Sequence, residues 1–340
     1  MLGAGGGGDV STGLLVALQA VESHGPVPLV DLDELPDDGV VMPCGGIGAP
    51  TVSIEKLGNG AQGERLRDGI ESALGRPVVA LMAAEVGGAN GLQPISWAAR
   101  LGLPVVDADG MGRAFPEAQQ LTMELAGIKP SPGVMTDERG NTLVIRAVDG
   151  PWLERIARAG AIAFGGIAAS TAYSLSVREA RGATVRGSLS LAMRVGRALV
   201  GGDDPIASVV DELDAHRLVV GKIVDVDRQT TAGFVRGSVL IEGLARDADR
   251  LIRLEVQNEN LVALEDGRVL ASVPDIITVL DSQTGEAIST ERLRYGQRVS
   301  VIAFPCAPVW RESAGLRVAG PRAFGYEFDY VPFESLRVVA

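Results

Sequence analysis

The chain has 340 residues, enough for two domains with a sizeable buried core. Hydrophobic residues make up 46%, charged residues 22% and aromatics only 4%, a globular balance whose core must rest on small aliphatic contacts. A net charge of −12 with no basic stripe excludes nucleic acid as a main partner, because that binding rests on counter-ion release by Lys and Arg.

The chain opens on GAGGGGD, ending in Asp9, which reads either as a site residue or as a helix cap after a flexible start. Residues 11–24 read as a helix capped by Ser11 or Thr12, with Leu14, Leu15, Leu18 and Val21 on one face and Gly25 as its stop. VPLVDL and VVMPC read as strands around an acidic turn, and the second runs into a glycine cluster with Cys44, Gly45 and Gly46. TVSIEKL fits helix or strand. ERLRDGIESALG reads as a helix ending at Gly75, and PVVALMAAE as an apolar strand carrying Glu85, Gly87, Gly88 and Asn90 at its end. A helix over 90–100, with Asn90 as a cap and Pro94 in its first turn, leads to LPVVDAD and hence to Asp107 and Asp109. This strand–helix–strand passage predicts a right-handed βαβ unit with parallel strands.

Further on, a helix over about 115–126, a hairpin over 134–148 turning at ERGNT and a helix over 151–159 are expected. Residues 170–200 look largely helical, and GGDDP at 201–205 marks a break. Beyond it, short β-branched segments separated by turn signals predict an all-β sandwich or barrel. The predicted class is therefore α/β plus all-β: a three-layer α/β/α domain with a mainly parallel sheet over 1–168, a helical connection over 169–205, and a β domain over 206–340.

Two distant cysteines, Cys44 and Cys306, make no disulfide framework and point to a reducing cytosol. No apolar run has bilayer-spanning length, and the start lacks the basic and apolar regions of a signal peptide. A cytoplasmic protein with no membrane partner is the expectation.

Ligands of open α/β sheets bind beyond the carboxyl ends of the strands, where Glu85, Asp107 and Asp109 should gather. These carboxylates are the candidates for catalysis, either by activating water or by holding a divalent metal between them. The ordinary alternative is that they cap helices or order turns. Gly45, Gly46, Gly87 and Gly88 offer backbone N–H groups for a developing negative charge, and Asn90 offers an amide for a ring carbonyl or N–H. Asp9, Cys44 and Arg113 are further substrate-binding candidates. Cys44 reads first as an inert buried thiol, and Arg113 as an i,i+4 partner of Glu117. In the β domain, the amide and acid groups of QNENLVA interrupt an apolar strand, with Gln257 and Glu259 sharing a face as an edge, a bulge or a polar wall of an interdomain cleft. Asp275 is a weaker candidate of the same kind. The glycine-rich start has neither the P-loop lysine nor a full dinucleotide fingerprint, so no nucleotide is expected. His24 and His216 are too isolated for a histidine metal motif.

Taken in order, GAGGGGD, MPCGGIGAPTVSIEKL, AAEVGGANGLQP, VVDADGMGRAFPE, TTAGFVRGSV, QNENLVA, RYGQRVSVIAFPCAPVWR and GPRAFGYEFDYVP resemble the S-methyl thiohydantoin desulfurase family, a former domain of unknown function also described as hydantoinase/oxoprolinase-like. The resemblance spans nearly the whole chain. It implies an N-terminal three-layer domain, a C-terminal β domain, and hydrolysis of an S-methyl thiohydantoin to a hydantoin with release of methanethiol. Family members carry a helical segment before the glycine-rich loop, which opens this sequence directly, so a shortened start is expected. A small cyclic amide or thioimidate is the expected partner, with self-association left open. The rival reading is a non-catalytic subunit or small-ligand-binding protein that accompanies a hydantoinase-type enzyme.

Overall fold

The apolar runs between glycines become strands in the computed structural model, which describes residues 2–6, 8–49, 52, 56, 58–231 and 234–336. Two units result. One comprises Gly7–Gly112 and Glu117–Leu189, the other Met1–Gly6, Arg113–Pro116 and Ser190–Ala340. The expected TVSIEKL element lies largely outside the described residues.

In the first unit, helix α1 (Val10–His24) precedes strands β1 (Leu29–Val30) and β2 (Val40–Gly48). Helix α2 (Gln62–Leu74) leads to β3 (Val78–Ala83), and α3 (Gln93–Leu101) to β4 (Val105–Asp109). Both helices stop at a left-handed glycine, Gly75 at φ 65° and Gly102 at φ 66°, as their sequences predict. After the short helix α4 (Thr122–Leu125) comes the hairpin of β5 (Gly133–Thr136) and β6 (Thr142–Ile145). Asp137 shapes its turn by accepting the N–H groups of Arg139 at 3.0 Å and Asn141 at 2.8 Å. Helix α5 (Gly150–Ala163), β7 (Ile167–Thr171), β8 (Leu175–Ser176), α6 (Val177–Ala183) and β9 (Val185–Arg186) follow, and α7 (Ser188–Gly201) begins at the end of this unit.

The sheet runs β1-β4-β3-β2-β7-β5-β6, with β8 on β2 and β9 on β4. Strands β1, β4, β3 and β2 are parallel, as the crossovers through α2 and α3 require. Strand β7 enters antiparallel to β2, so the sheet is mixed. A Cβ on Gly69 of α2 would lie 2.9 Å from Val134, and one on Gly160 of α5 would lie 3.3 Å from the neighbouring Met135. Adjacent residues of a strand point to opposite faces, so helices cover both sides of the sheet. Leu66 and Ile70 of α2, Trp97 and Ala98 of α3, and Val40, Met42, Val78, Leu81 and Val105 of the strands form the core between the helices and one face.

Four local expectations are corrected. The cap of α1 is Asp9, in line with the alternative reading of that residue, and not Ser11 or Thr12: its Oδ2 accepts from Thr12 N at 2.8 Å and Thr12 Oγ1 at 2.6 Å. The buried residues of α1 are Ala17 and Ala20, while Leu14, Leu15 and Leu18 are exposed. Small side chains let the helix approach closely, and a Cβ on Gly13 would lie 3.3 Å from that of Ala89. The expected helix over 115–126 forms only as the single turn α4, and the expected helical stretch 170–200 contains β8 and β9.

In the second unit, helix α8 (Pro205–Glu212) precedes β10 (His216–Thr231), β11 (Phe234–Gly243), β12 (Leu251–Gln257), β13 (Glu259–Glu265), β14 (Arg268–Ser272), β15 (Ile276–Asp281) and β16 (Arg298–Phe304). All pairings in the order β14-β13-β12-β11-β10-β16-β15 are antiparallel. The sheet curls into a half-barrel: Asn260 of β13 donates from Nδ2 to the carbonyl of Ile277 in β15 at 3.2 Å, joining strands far apart in the order. Val219, Ile223, Val239, Ile241, Leu254 and Val301 belong to its core.

The polar break of QNENLVA is the β12–β13 reversal. Asn258 sits at φ 56° and Gln257 pairs across to Glu259, so these two side chains belong to adjacent strands and not to one. The aromatic tail packs on its own β domain, with Phe324, Tyr326 and Phe328 against Leu261, Val262 and Val273.

Asp275, fully buried, holds the end of this unit together. Its Oδ1 accepts from Arg311 Nε at 2.9 Å and Nη2 at 2.6 Å, and its Oδ2 accepts from the Tyr330 hydroxyl at 2.8 Å. Arg311 also pairs with Glu334 at 3.0 Å, so removing Asp275 strands no charge but leaves buried donors, the Tyr330 hydroxyl among them, without their acceptor, at about 1–3 kcal/mol. Asp275→Ala is therefore expected to lower unfolding free energy by roughly 2 kcal/mol in urea titration. A loss within about 0.5 kcal/mol, the ordinary range of surface substitutions, would remove this role.

Candidate active site

Beyond the carboxyl ends of β2 and β3 the first unit encloses a cavity of about 250 Å³. Asp9 at the start of α1, Gly46 of β2, Gln62 at the start of α2, Asn90 in the turn after β3 and Gln93 at the start of α3 line it, together with Trp97, Lys56 and the β5–β6 turn. The starts of α2 and α3 reach the cavity because each follows a parallel strand at the same sheet edge, while the start of α1 reaches it by packing close on the 88–91 turn.

Asn90 is the central group. Its Oδ1 accepts the Gly46 N–H at 2.7 Å, and its Nδ2 donates to Glu85 Oε1 at 2.6 Å. The amide is thereby fixed at both ends while still bordering the cavity. Glu85, 9% exposed, stands behind it and reaches the cavity through it. Asn90 is thus not the cap of α3. Gln93 carries a buried Oε1 that has no hydrogen-bond partner among the described residues. A buried unpaired acceptor on a cavity wall is a place for a ligand N–H.

Charges at the rim are mostly compensated. Lys56 lies 2.8 Å from Glu138 Oε2 and also donates to the Phe164 carbonyl, and Asp137 is occupied by its own turn. The Lys56 ammonium holds the Glu138 carboxyl below the usual carboxylate range, its hydrogen bond outweighing desolvation. Asp9, whose Oδ2 accepts from Thr12, is among the residues that line the cavity.

The other expected site residues lie elsewhere. Asp109 is fully buried and ties two loops: it accepts the N–H groups of Val86 at 2.9 Å, Met111 at 3.2 Å and Gly112 at 2.8 Å. Burial pushes its carboxyl up to about 6, against the opposing pull of these N–H groups. Asp107 Oδ1 accepts Leu189 N at 3.0 Å, in the first turn of α7. Among the described residues no group of three or more His, Cys, Asp and Glu stands together to hold a metal.

Cys44 and Gly45 belong to β2, paired with Thr171 and Ser170 of β7, and not to a loop. Burial pushes the Cys44 thiol far up, which suits a core residue. Gly87 and Gly88 frame the 88–91 turn that presents Asn90, with Gly88 at φ 52°. Arg113, Gln257 and Glu259 belong to the second unit. Arg113 is buried there and donates to the carbonyl of Asp275 at 2.8 Å from a non-helical segment.

Sequence reasoning passed over Lys56, Gln62 and Gln93. The signal for the two glutamines was their place as first residues of the helices that follow β2 and β3.

Family models match the chain end to end: the S-Me-THD-like N-terminal domain over residues 1–147 and the S-Me-THD-like C-terminal domain over residues 148–333. The chain belongs to the S-Me-THD-like family. No curated protein matches it. A crystal structure of a protein from Chromobacterium violaceum is similar, with a TM-score of 0.77 and 27% identity over 97% of this chain and 95% of that one. Membership of the S-Me-THD-like family supports a hydrolase-type function. No helix among the described residues is long and apolar enough to cross a membrane.

The buried Asp109 generates a pH dependence. A raised folded-state value means that the folded chain holds the proton more tightly than the unfolded chain. Its stabilising contribution is complete below the ordinary value of 3.8 and is lost as pH rises to about 6. The stability of the wild type relative to Asp109→Asn, which cannot titrate, is expected to fall by ~2–3 kcal/mol between about pH 4 and about pH 7. Urea unfolding at intervals across that window measures it, and a difference that stays flat contradicts the assignment.

Proposed function

We propose that this chain hydrolyses an S-methyl thiohydantoin, or a closely related five-membered cyclic thioimidate, in the cavity beside Asn90. The observation that carries the reading is the set of carboxamides there. Asn90 is fixed by Gly46 and Glu85, and Gln93 offers an unpaired buried acceptor. A ring built of alternating N–H and C=O groups is the natural complement of such amides, and Trp97 supplies an apolar wall. Family membership supports the same substrate class.

In this reading Asp9 takes a proton from water as its oxygen attacks the ring carbon bearing sulfur. The tetrahedral carbon then collapses to a carbonyl, the C–S bond breaks with its electron pair on sulfur, and the thiolate takes up a proton as methanethiol. Water is consumed, and hydantoin and thiol are formed. Thiolate is a good leaving group, so the demand on a general acid is small. Asn90 orients the ring, and Glu85 is a positioning residue that fixes the Asn90 amide. Asp107 and Asp109, the first expectations for catalysis, are assigned to holding the loops.

Asp9→Asn separates chemistry from structure, because Asn caps a helix as well as Asp does but takes no proton. Purified wild-type chain is expected to release methanethiol from S-methyl thiohydantoins, and Asp9→Asn to lower kcat by about 10²–10⁴ with unfolding midpoint retained. Glu85→Gln still accepts from Asn90 and should chiefly raise KM. Wild-type-like release by Asp9→Asn would sink the base assignment. Absence of thiol release by the wild type, alongside saturable binding of the ring, would favour the non-catalytic binding reading.

A further inference from the structure

The second unit contains a concavity of about 840 Å³ where the start of β10, the turn after β11 and the β13–β14 hairpin come together. Four arginines line it, Arg217, Arg246, Arg250 and Arg268, against two carboxylates, Asp211 and Glu265. With Asp247, which accepts from Arg250 Nη1 at 2.8 Å, counted beside them, four positive against three negative charges leave an excess of +1, in a chain whose net charge is −12. A positive hollow in so acidic a protein runs against the average field and attracts anions locally.

The arginines divide into two pairs. Arg250 donates from Nε to Glu265 Oε1 at 2.5 Å and from Nη1 to the Leu218 carbonyl at 2.8 Å, while Arg268 Nη2 donates to Glu265 Oε2 at 3.0 Å. Glu265 is thereby neutralised within the wall, and its carboxyl is held below the usual range by the Arg250 hydrogen bond. Arg217 and Arg246 are exposed and have no ion-pair partner among the described residues. Arg250 and Arg268 offset Glu265 and Asp247, whereas Arg217 and Arg246 keep their donors for something else.

We infer that this concavity binds a small polyanion, a molecule carrying two or more adjacent phosphate or carboxylate groups, with Arg217 and Arg246 as its principal donors. Guanidinium groups match both anions through paired N–H donors, and two of them lining one hollow suit a ligand with more than one charge. The site is independent of the cavity beside Asn90, being built wholly from residues of the other unit.

Isothermal titration of the full chain with pyrophosphate and, separately, with citrate tests this. Saturable one-to-one binding of either is expected, weakening with added salt. The double variant Arg217→Gln, Arg246→Gln should weaken it at least tenfold. Arg322→Gln, which removes an exposed guanidinium paired with Asp329 elsewhere on the same unit, should leave it unchanged. Preference for pyrophosphate assigns a phosphorylated ligand, and preference for citrate a polycarboxylate. No saturable heat from either probe up to about 1 mM, an affinity worth only about 4 kcal/mol, overturns the proposal. Equal affinity in wild type and double variant also overturns it. Both side chains are exposed, so thermal unfolding of the variant should match the wild type and leave the titration interpretable.

Discussion

The Asp109 carboxylate is the constraint on which the first unit's cavity depends. It sits at the end of β4 and gathers N–H groups from two loops, Val86 after β3 and Met111 and Gly112 after its own strand. Val86 is followed within four residues by Asn90, so the bond that fixes the start of this loop also sets where the amide stands. The same loop meets β2 through the Gly46 N–H on Asn90 Oδ1. Three adjacent parallel strands are therefore joined beyond their ends by two polar side chains, where the ladder bonds have stopped. Burying a carboxylate there is costly, and three backbone donors offset the cost.

Small residues set the remaining wall. Asp9 borders the cavity because α1 lies close on the 88–91 turn, and Gly13, Ala17 and Ala20 provide the narrow face that allows it. A Cβ on Gly8, at φ 94°, would come 2.7 Å from that of Ala89. Larger side chains at these positions would lift the helix start, and with it Asp9, away from Asn90. The exposed leucines of α1 are the other side of this arrangement: the face chosen for packing is the one that permits close approach, not the one with most apolar area.

What was legible in the sequence follows from how local its cause is. Gly75 and Gly102 stop helices through their own left-handed backbone, and α2 and α3 each connect neighbouring parallel strands, so the βαβ passages were readable. The place of Asn90 on the strand-end turn was readable for the same reason. Strand β7 was not, because its register against β2 pairs residues more than a hundred positions apart. That pairing carries the strand expected to end at Cys44 on through the glycine cluster to Gly48. Nor was the division of labour among carboxylates readable. Asp107 and Asp109 are two residues apart and identical in type, yet one receives the first turn of α7 and the other the loop amides. Only the arrival of α7, some eighty residues later, separates them.

A common rule distinguishes the acids of both units. Asp275 and Asp109 are fully buried and each accepts three or more hydrogen bonds, from Arg311 and Tyr330 in one case and from backbone in the other. A carboxylate so surrounded has its lone pairs committed, and freeing one for water would break the structure that justifies its burial. Acids suited to proton transfer must instead keep an edge on a cavity while something fixes their orientation. Asp9 borders the cavity and is oriented by Thr12, which donates to its Oδ2 from both N–H and hydroxyl. Position at a strand end, on which Asp109 first stood out, thus says less about its role than the backbone donors that surround it.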